Sequence, residues 1–383
     1  MDSNAPGKLP GFGTTIFAVM SQLAAENGAI NLAQGFPDFD GPQELRDLVN
    51  HHLNHGHNQY APLAGVPELR EQVARKVEAL YRHDVDPQHD ITVTPGATEA
   101  IFCALTAIVQ PGDEVIMLDP SYDSYAPGVL LNGGVPRRIP LRGTNFTVDW
   151  NRVADAVNPR TRALMINSPH NPTGSCFGEE DIEALRSLVR KHDLLLISDE
   201  VYEHIIFDGR SHLSLLRYPE LAERAFVISS FGKTYHVTGW RIGYCIAPAV
   251  LTQAFRRVHQ FINFSTNAPL SHALADFMKK RPEFANELGG FYQRKRDLFC
   301  RLLENSRFGF EPAAGTYFQT VDYSRISEAP DSEFARELTI RHGVAAIPIS
   351  VFYEAPPKAR VVRFCFAKED DTLREAASRL RAL

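Results

Sequence analysis

The feature that most constrains the fold is a series of short, continuous apolar runs separated by helical patterns through the middle of the chain. The runs are Ile91–Thr94, Glu114–Leu118, Ala163–Ile166, Leu194–Ser198, Ala225–Ser229 and Gly243–Ala247. Strands that stay apolar without alternating suit a sheet covered on both faces, as parallel sheets are. Between them, Asp181–Lys191 sets Ile182, Leu185, Leu188 and Val189 on one helical stripe. Strand and helix in alternation predict an α/β layered fold with right-handed crossovers. The last third changes character. It reads as a long helix over Glu283–Leu303, strands over Gly315–Val321, Val344–Pro348 and Val361–Ala367, and a final helix from about Thr372. A chain of 383 residues is long enough for two domains. We therefore expect a large α/β domain over 41–275, its mostly parallel central sheet flanked by helices. A smaller α+β domain would be formed by 1–40 and 276–383. Residues 1–40 precede the first sheet strand in this reading.

Composition narrows the function classes. A net charge of −6 leaves no basic footprint for nucleic acid. No apolar run is long enough to span a membrane, and the first ten residues have no apolar core that would mark a secretory signal. The cysteines, Cys103, Cys176, Cys245, Cys300 and Cys365, are odd in number and lack a C-x-x-C pair. They fit buried thiols of a reduced, cytoplasmic protein. The stretch His51-His52-Leu53-Asn54-His55-Gly56-His57 invites a metal reading, since His51 and His55 share a helical face. No carboxylate or cysteine stands beside it in sequence, so a polar helix end is expected and no metal.

Ligands of open α/β sheets bind beyond the carboxyl ends of the strands, and polar residues collect there. Ile91–Thr94 runs into Pro95-Gly96-Ala97-Thr98 and a helix, a turn whose free N–H groups suit a phosphate. Glu114–Leu118 leads to Asp119-Pro120-Ser121-Tyr122, and Ala163–Ile166 to Asn167 through Gly174. Leu194–Ser198 ends at Asp199-Glu200-Val201-Tyr202, and Ala225–Ser229 at Ser230-Phe231-Gly232-Lys233-Thr234. Taken singly, each has an ordinary explanation: a cap, a turn, a solvated lysine. Together they place an amine, an acid, a tyrosine, an asparagine, a hydroxyl and an arginine at one sheet edge. That set matches the needs of an aldehyde cofactor with a ring nitrogen, a ring hydroxyl and a phosphate.

Asn171-Pro172-Thr173-Gly174, Ser198 through Tyr202, Ser230 through Thr234 and Gly239-Trp240-Arg241-Ile242-Gly243 resemble, in order and spacing, the class I aminotransferases of pyridoxal phosphate (PLP) fold type I. Asn31 through Phe39, Asn58-Gln59-Tyr60 and Val361 through Phe366 extend the resemblance over most of the chain. Gln34 through Phe39 and the Arg363 segment are similar to the methionine and kynurenine (glutamine) aminotransferases. The resemblance implies a PLP-dependent, ping-pong aminotransferase. In it Lys233 would carry the cofactor covalently and then shuttle the proton. Asp199 would pair with the ring nitrogen, Tyr202 and Asn171 with the ring hydroxyl, and Tyr122 would stack on the ring. Ala97, Thr98, Ser230 and Arg241 would hold the phosphate. Tyr60 would reach the phosphate of a neighbouring subunit, which implies a homodimer with shared sites. Arg363 would clamp the substrate carboxylate, helped by Asn171 and the Gly35 backbone.

The alternative for Arg363 taken alone is a surface arginine on an edge strand. Ser121 reduces the family's aromatic pair to Tyr122, and His170 is assigned no role. Phe17, Tyr60, Tyr122, Phe264 and Tyr317 are expected to wall a substrate pocket without a second cation. Such a pocket favours methionine, aromatic amino acids, glutamine or kynurenine over aspartate. The competing readings are a PLP-dependent carbon–sulfur β-lyase and a non-enzymatic ligand-binding regulator. A nicotinamide dehydrogenase is disfavoured because no G-x-G-x-x-G follows a strand.

Overall fold

The computed structural model describes residues 7–9 and 11–383. The signal-peptide reading of the first ten residues therefore falls largely outside the described residues. The strands are β1 (Ile30–Asn31), β2 (Ile91–Thr94), β3 (Glu114–Asp119), β4 (Val135–Pro140), β5 (Thr161–Asn167), β6 (Leu195–Asp199), β7 (Ala225–Ser230), β8 (Gly243–Ile246), β9 (Phe318–Asp322), β10 (Val344–Ala345), β11 (Ile347–Pro348) and β12 (Val361–Cys365). Seven of them form the central sheet in the order β2-β8-β7-β6-β5-β3-β4. β3 to β7 pair in parallel, while β8 runs antiparallel to both β2 and β7.

Both faces of this sheet are covered, as the unbroken apolar runs require. Along β3, Val115 and Met117 join a core layer with Ile101 and Leu105 of the helix Ala97–Ile108. Ile116 and Leu118 join the opposite layer, with Leu69, Val73 and Val77 of the helix Pro67–Tyr81. The helix Glu179–His192 buries the stripe read from sequence. β4 was not anticipated. Its sequence, Val-Pro-Arg-Arg-Ile-Pro, is that of an edge strand, where missing amide donors and an exposed arginine, Arg137, are tolerated.

A third core layer holds Tyr292, Phe299, Tyr317, Phe334, Phe364 and Leu373 around the antiparallel sheet β11-β12-β9. The expectation that 1–40 precedes the first strand is corrected: β1 lies within it and pairs in parallel with β10. Val201, Tyr202, Ile205 and Phe207 belong to this third layer. The chain thus crosses from the central sheet into the other core immediately after Asp199.

Candidate active site

The sheet topology explains why distant motifs meet. β2, β3, β5, β6 and β7 all end on one edge. Because β8 runs the other way, its start lies on that edge too: Gly243 sits opposite Thr94 and Ser230. Arg241, two residues earlier, is brought beside the turn after β2.

At that turn Gly96 has φ 84°, and a Cβ there would lie 2.7 Å from an Arg241 terminal nitrogen. This close approach sets the Arg241 guanidinium against the N-terminus of the helix Ala97–Ile108. After β7, the Ser230 hydroxyl accepts from the Gly232 amide at 3.2 Å and caps the turn Phe231–Thr234, which aims Lys233 inward. Lys233 Nζ donates to the Tyr317 hydroxyl at 2.8 Å and to the Gly35 carbonyl at 3.3 Å. Tyr317 also donates to Gly35 O, at 2.6 Å. Burial lowers the Lys233 amine to about 8, so a substantial fraction is neutral near physiological pH.

Asp199 closes β6 as a buried carboxylate. It accepts from the Tyr125 hydroxyl at 2.6 Å and from the Val201 amide at 3.2 Å. Burial raises its carboxyl to about 6, against those bonds and a weaker pull from Lys233. Among the described residues no ion pair holds it. The site therefore offers a buried acid that lacks a cation.

Arg363 presents the complementary case. It stands on the central strand of β11-β12-β9 and is fully buried, which overturns the edge-strand alternative. Its terminal nitrogens donate to Asn171 Oδ1 at 2.8 Å and Ala33 O at 3.0 Å, while Nε has no partner. The guanidinium lies 3.8 Å from the Phe318 ring centroid and 5.3 Å from that of Phe17. Asn171 is itself fixed, its amide donating to Asn167 Oδ1 at 2.7 Å. Gly35, expected to help hold the substrate carboxylate through its backbone, lines the same cavity as Arg363, and its carbonyl accepts from Tyr317 and Lys233.

Ala97, Thr98, Tyr122, Asn171, Asp199, Tyr202, Ser230, Lys233 and Arg241 all line one cavity of about 100 Å³. A larger cavity of about 900 Å³ shares Tyr122, Asn171, Tyr202 and Lys233, and adds Gly35, Arg363 and Phe17. Tyr60 is not among either set. It is 84% exposed, its ring 5.3 Å from Phe264. His170 is buried against Thr173 at 2.7 Å, and burial lowers it to about 4, so it is a neutral brace for its loop.

Near the histidine run, folding supplies the carboxylate that the sequence neighbourhood lacked: Asp276 lies 3.0 Å from His52 Nε2, and the His272 ring 4.1 Å from His57. Sequence reasoning missed Tyr125 and Ala33, and gave Tyr317 only as a wall. Tyr125 alone left a signal, as a second tyrosine one helical turn after Tyr122.

The fold and this edge-clustered site define an aminotransferase of fold type I, and the chain belongs to the class I and II aminotransferase family, whose model matches residues 27–380. It is 51% identical to methionine aminotransferase from Escherichia coli (strain K12), covering 98% of this chain and 97% of that protein. The crystal structure of Escherichia coli YbdL, identified there as having a methionine aminotransferase function, superposes with a TM-score of 0.97 over 99% of both chains. Human kynurenine–oxoglutarate transaminase 3 is 33% identical, over 98% of this chain and 89% of that protein. Among the described residues no helix is long and apolar enough to cross a membrane.

Proposed function

We propose that this aminotransferase uses pyridoxal phosphate to move the amino group of L-methionine, or of an aromatic, glutamine or kynurenine-type amino acid, to a 2-oxo acid. The observation that carries the reading is the pair of uncompensated buried charges on either side of Lys233. Among the described residues neither the Asp199 carboxylate nor the Arg363 guanidinium is in an ion pair. A protonated ring nitrogen answers the first and a substrate carboxylate the second. The narrow approach of Gly96 to Arg241 and the Ser230 hydroxyl supply the donors that a phosphate needs. When bound, the cofactor supplies an electron sink for the pair left behind as the α-proton departs.

The chain's own residues do the rest. Lys233 holds the cofactor through its amine, and once free it takes the α-proton and returns it. Its lowered proton affinity suits that task, and such a base contributes roughly 10²–10⁴-fold. Asp199 would keep the ring nitrogen protonated, Tyr202 and Asn171 would hydrogen-bond the ring hydroxyl, and Tyr122 would stack on the ring. Arg363 and Asn171 orient the substrate through its carboxylate, and Phe17 walls the cavity.

The division into a domain over 41–275 and one formed by 1–40 and 276–383 belongs to the same proposal. It is supported by the separate core around β9 to β12. A homodimer that lends Tyr60 to the partner's site is supported by that residue's exposure. Five free cysteines suit the cytoplasm. The test of substrate class is kinetic. We expect kcat/KM for L-methionine or an aromatic amino acid to exceed that for L-aspartate by at least about tenfold. Equal values would refute the neutral-pocket reading.

A further inference from the structure

The charge inside the larger cavity goes beyond what its aromatic walls explain. Besides Lys233 and Arg363, two ionised side chains line it, Arg138 and Asp123. Arg138 is already committed. Its Nε donates to Asp119 at 2.8 Å, and a terminal nitrogen donates to Ser121 Oγ at 3.0 Å and Phe352 O at 2.7 Å. The second Asp119 oxygen accepts the Glu354 amide at 2.9 Å. Arg138 and Asp119 therefore cancel as a neutral pair.

Asp123 has no such partner. It is half-buried, and among the described residues no other side chain donates to its carboxylate. Burial raises its carboxyl above the ordinary range, and the one cation that offsets this is Arg363. A bound substrate cancels Arg363 with its own α-carboxylate. Asp123 is then the one acidic side chain lining the cavity without a cation of its own.

We propose that Asp123 is a specificity-determining residue: it rejects a second carboxylate on either the amino acid or the oxo acid, and so selects uncharged or donor-bearing side chains. The inference rests on the substrate reading above and deepens it. In that reading acidic substrates lack a cation to meet; here they also face a fixed like charge, which adds to the cost of burying them. Family membership leaves the point open, since the human relative is named for oxoglutarate, a dicarboxylate.

The experiment compares the wild-type holoenzyme with Asp123→Asn and with Asp123→Glu, which keeps the charge. Binding of two unreactive acids, glutarate and 4-(methylthio)butanoate, is measured by calorimetry beside kcat/KM for L-glutamate and L-methionine. In Asp123→Asn the glutarate-to-thioether affinity ratio, and the glutamate-to-methionine ratio with it, is expected to shift toward the diacid by at least about tenfold, about 1.4 kcal/mol. Asp123→Glu should stay within about threefold of wild type. Should the Asn variant not fold, Asp123→Ala gives the same reading. A smaller shift in the charge-removing variant, or an equal shift in Asp123→Glu, overturns the proposal. If the wild type turns over no amino acid at all, the substrate reading fails while the affinity ratio still decides the role of Asp123.

Discussion

Lys233 is the residue on which the proposed chemistry turns, and its surroundings set its behaviour with pH. Burial is the largest influence on its amine and lowers it to about 8. Only the neutral amine attacks an aldehyde. The sign follows: capture of added pyridoxal phosphate by apoprotein should accelerate about tenfold per pH unit below that value and level off above it. A rate flat from pH 6 to 9 would show that this amine is not the acceptor. Lys233→Ala should lose the covalent visible band and about 10²–10⁴-fold or more of kcat. Asp199→Asn keeps the shape and the Tyr125 contact but removes the charge. It should bind cofactor yet turn over far more slowly, by steady-state kinetics on a variant whose circular dichroism is unchanged.

Among elements, the turn between β2 and the helix Ala97–Ile108 leaves no room for a side chain at Gly96. Gly96→Ala would add a methyl 2.7 Å from an Arg241 nitrogen, at a φ of 84° that side chains rarely adopt. The strain is of order 1–3 kcal/mol, so we expect a lower Tm and at least about tenfold weaker cofactor retention, measured by dialysis against phosphate. The strands that carry the site were legible in sequence because both faces are buried and each run is continuously apolar. Their ends were therefore legible as well, and Asp199, Lys233 and Asn171 fall where the runs stop. β4 was not legible, because two prolines and two arginines mask an edge strand whose charges are answered by Glu114 and Asp119 on β3. Ala33 beneath Arg363, Tyr317 on Lys233 and Asp276 on His52 were hidden for a different reason. Each contact joins segments far apart in sequence, and no local period encodes it.

For the whole molecule, one apolar patch stands out. Phe261 is 85% exposed, Tyr60 84%, Phe264 50% and Ile262 45%. A cluster of this kind marks a surface that binds another protein, and a second copy of the chain is the expected occupant. Phe261→Asp combined with Phe264→Asp should shift sedimentation toward a monomer and weaken cofactor retention in parallel. A fully active monomer would rule out shared sites. The bond from Asn171 to Arg363 has a separate consequence. Asn171 follows β5 of the central sheet and Arg363 stands on β12, so the proposed carboxylate site draws on two sheets at once. A bound acid at about one hundred times its Kd adds about 2.7 kcal/mol, so occupancy of a site strung between two sheets should appear as a rise in Tm with added acid, read by calorimetry.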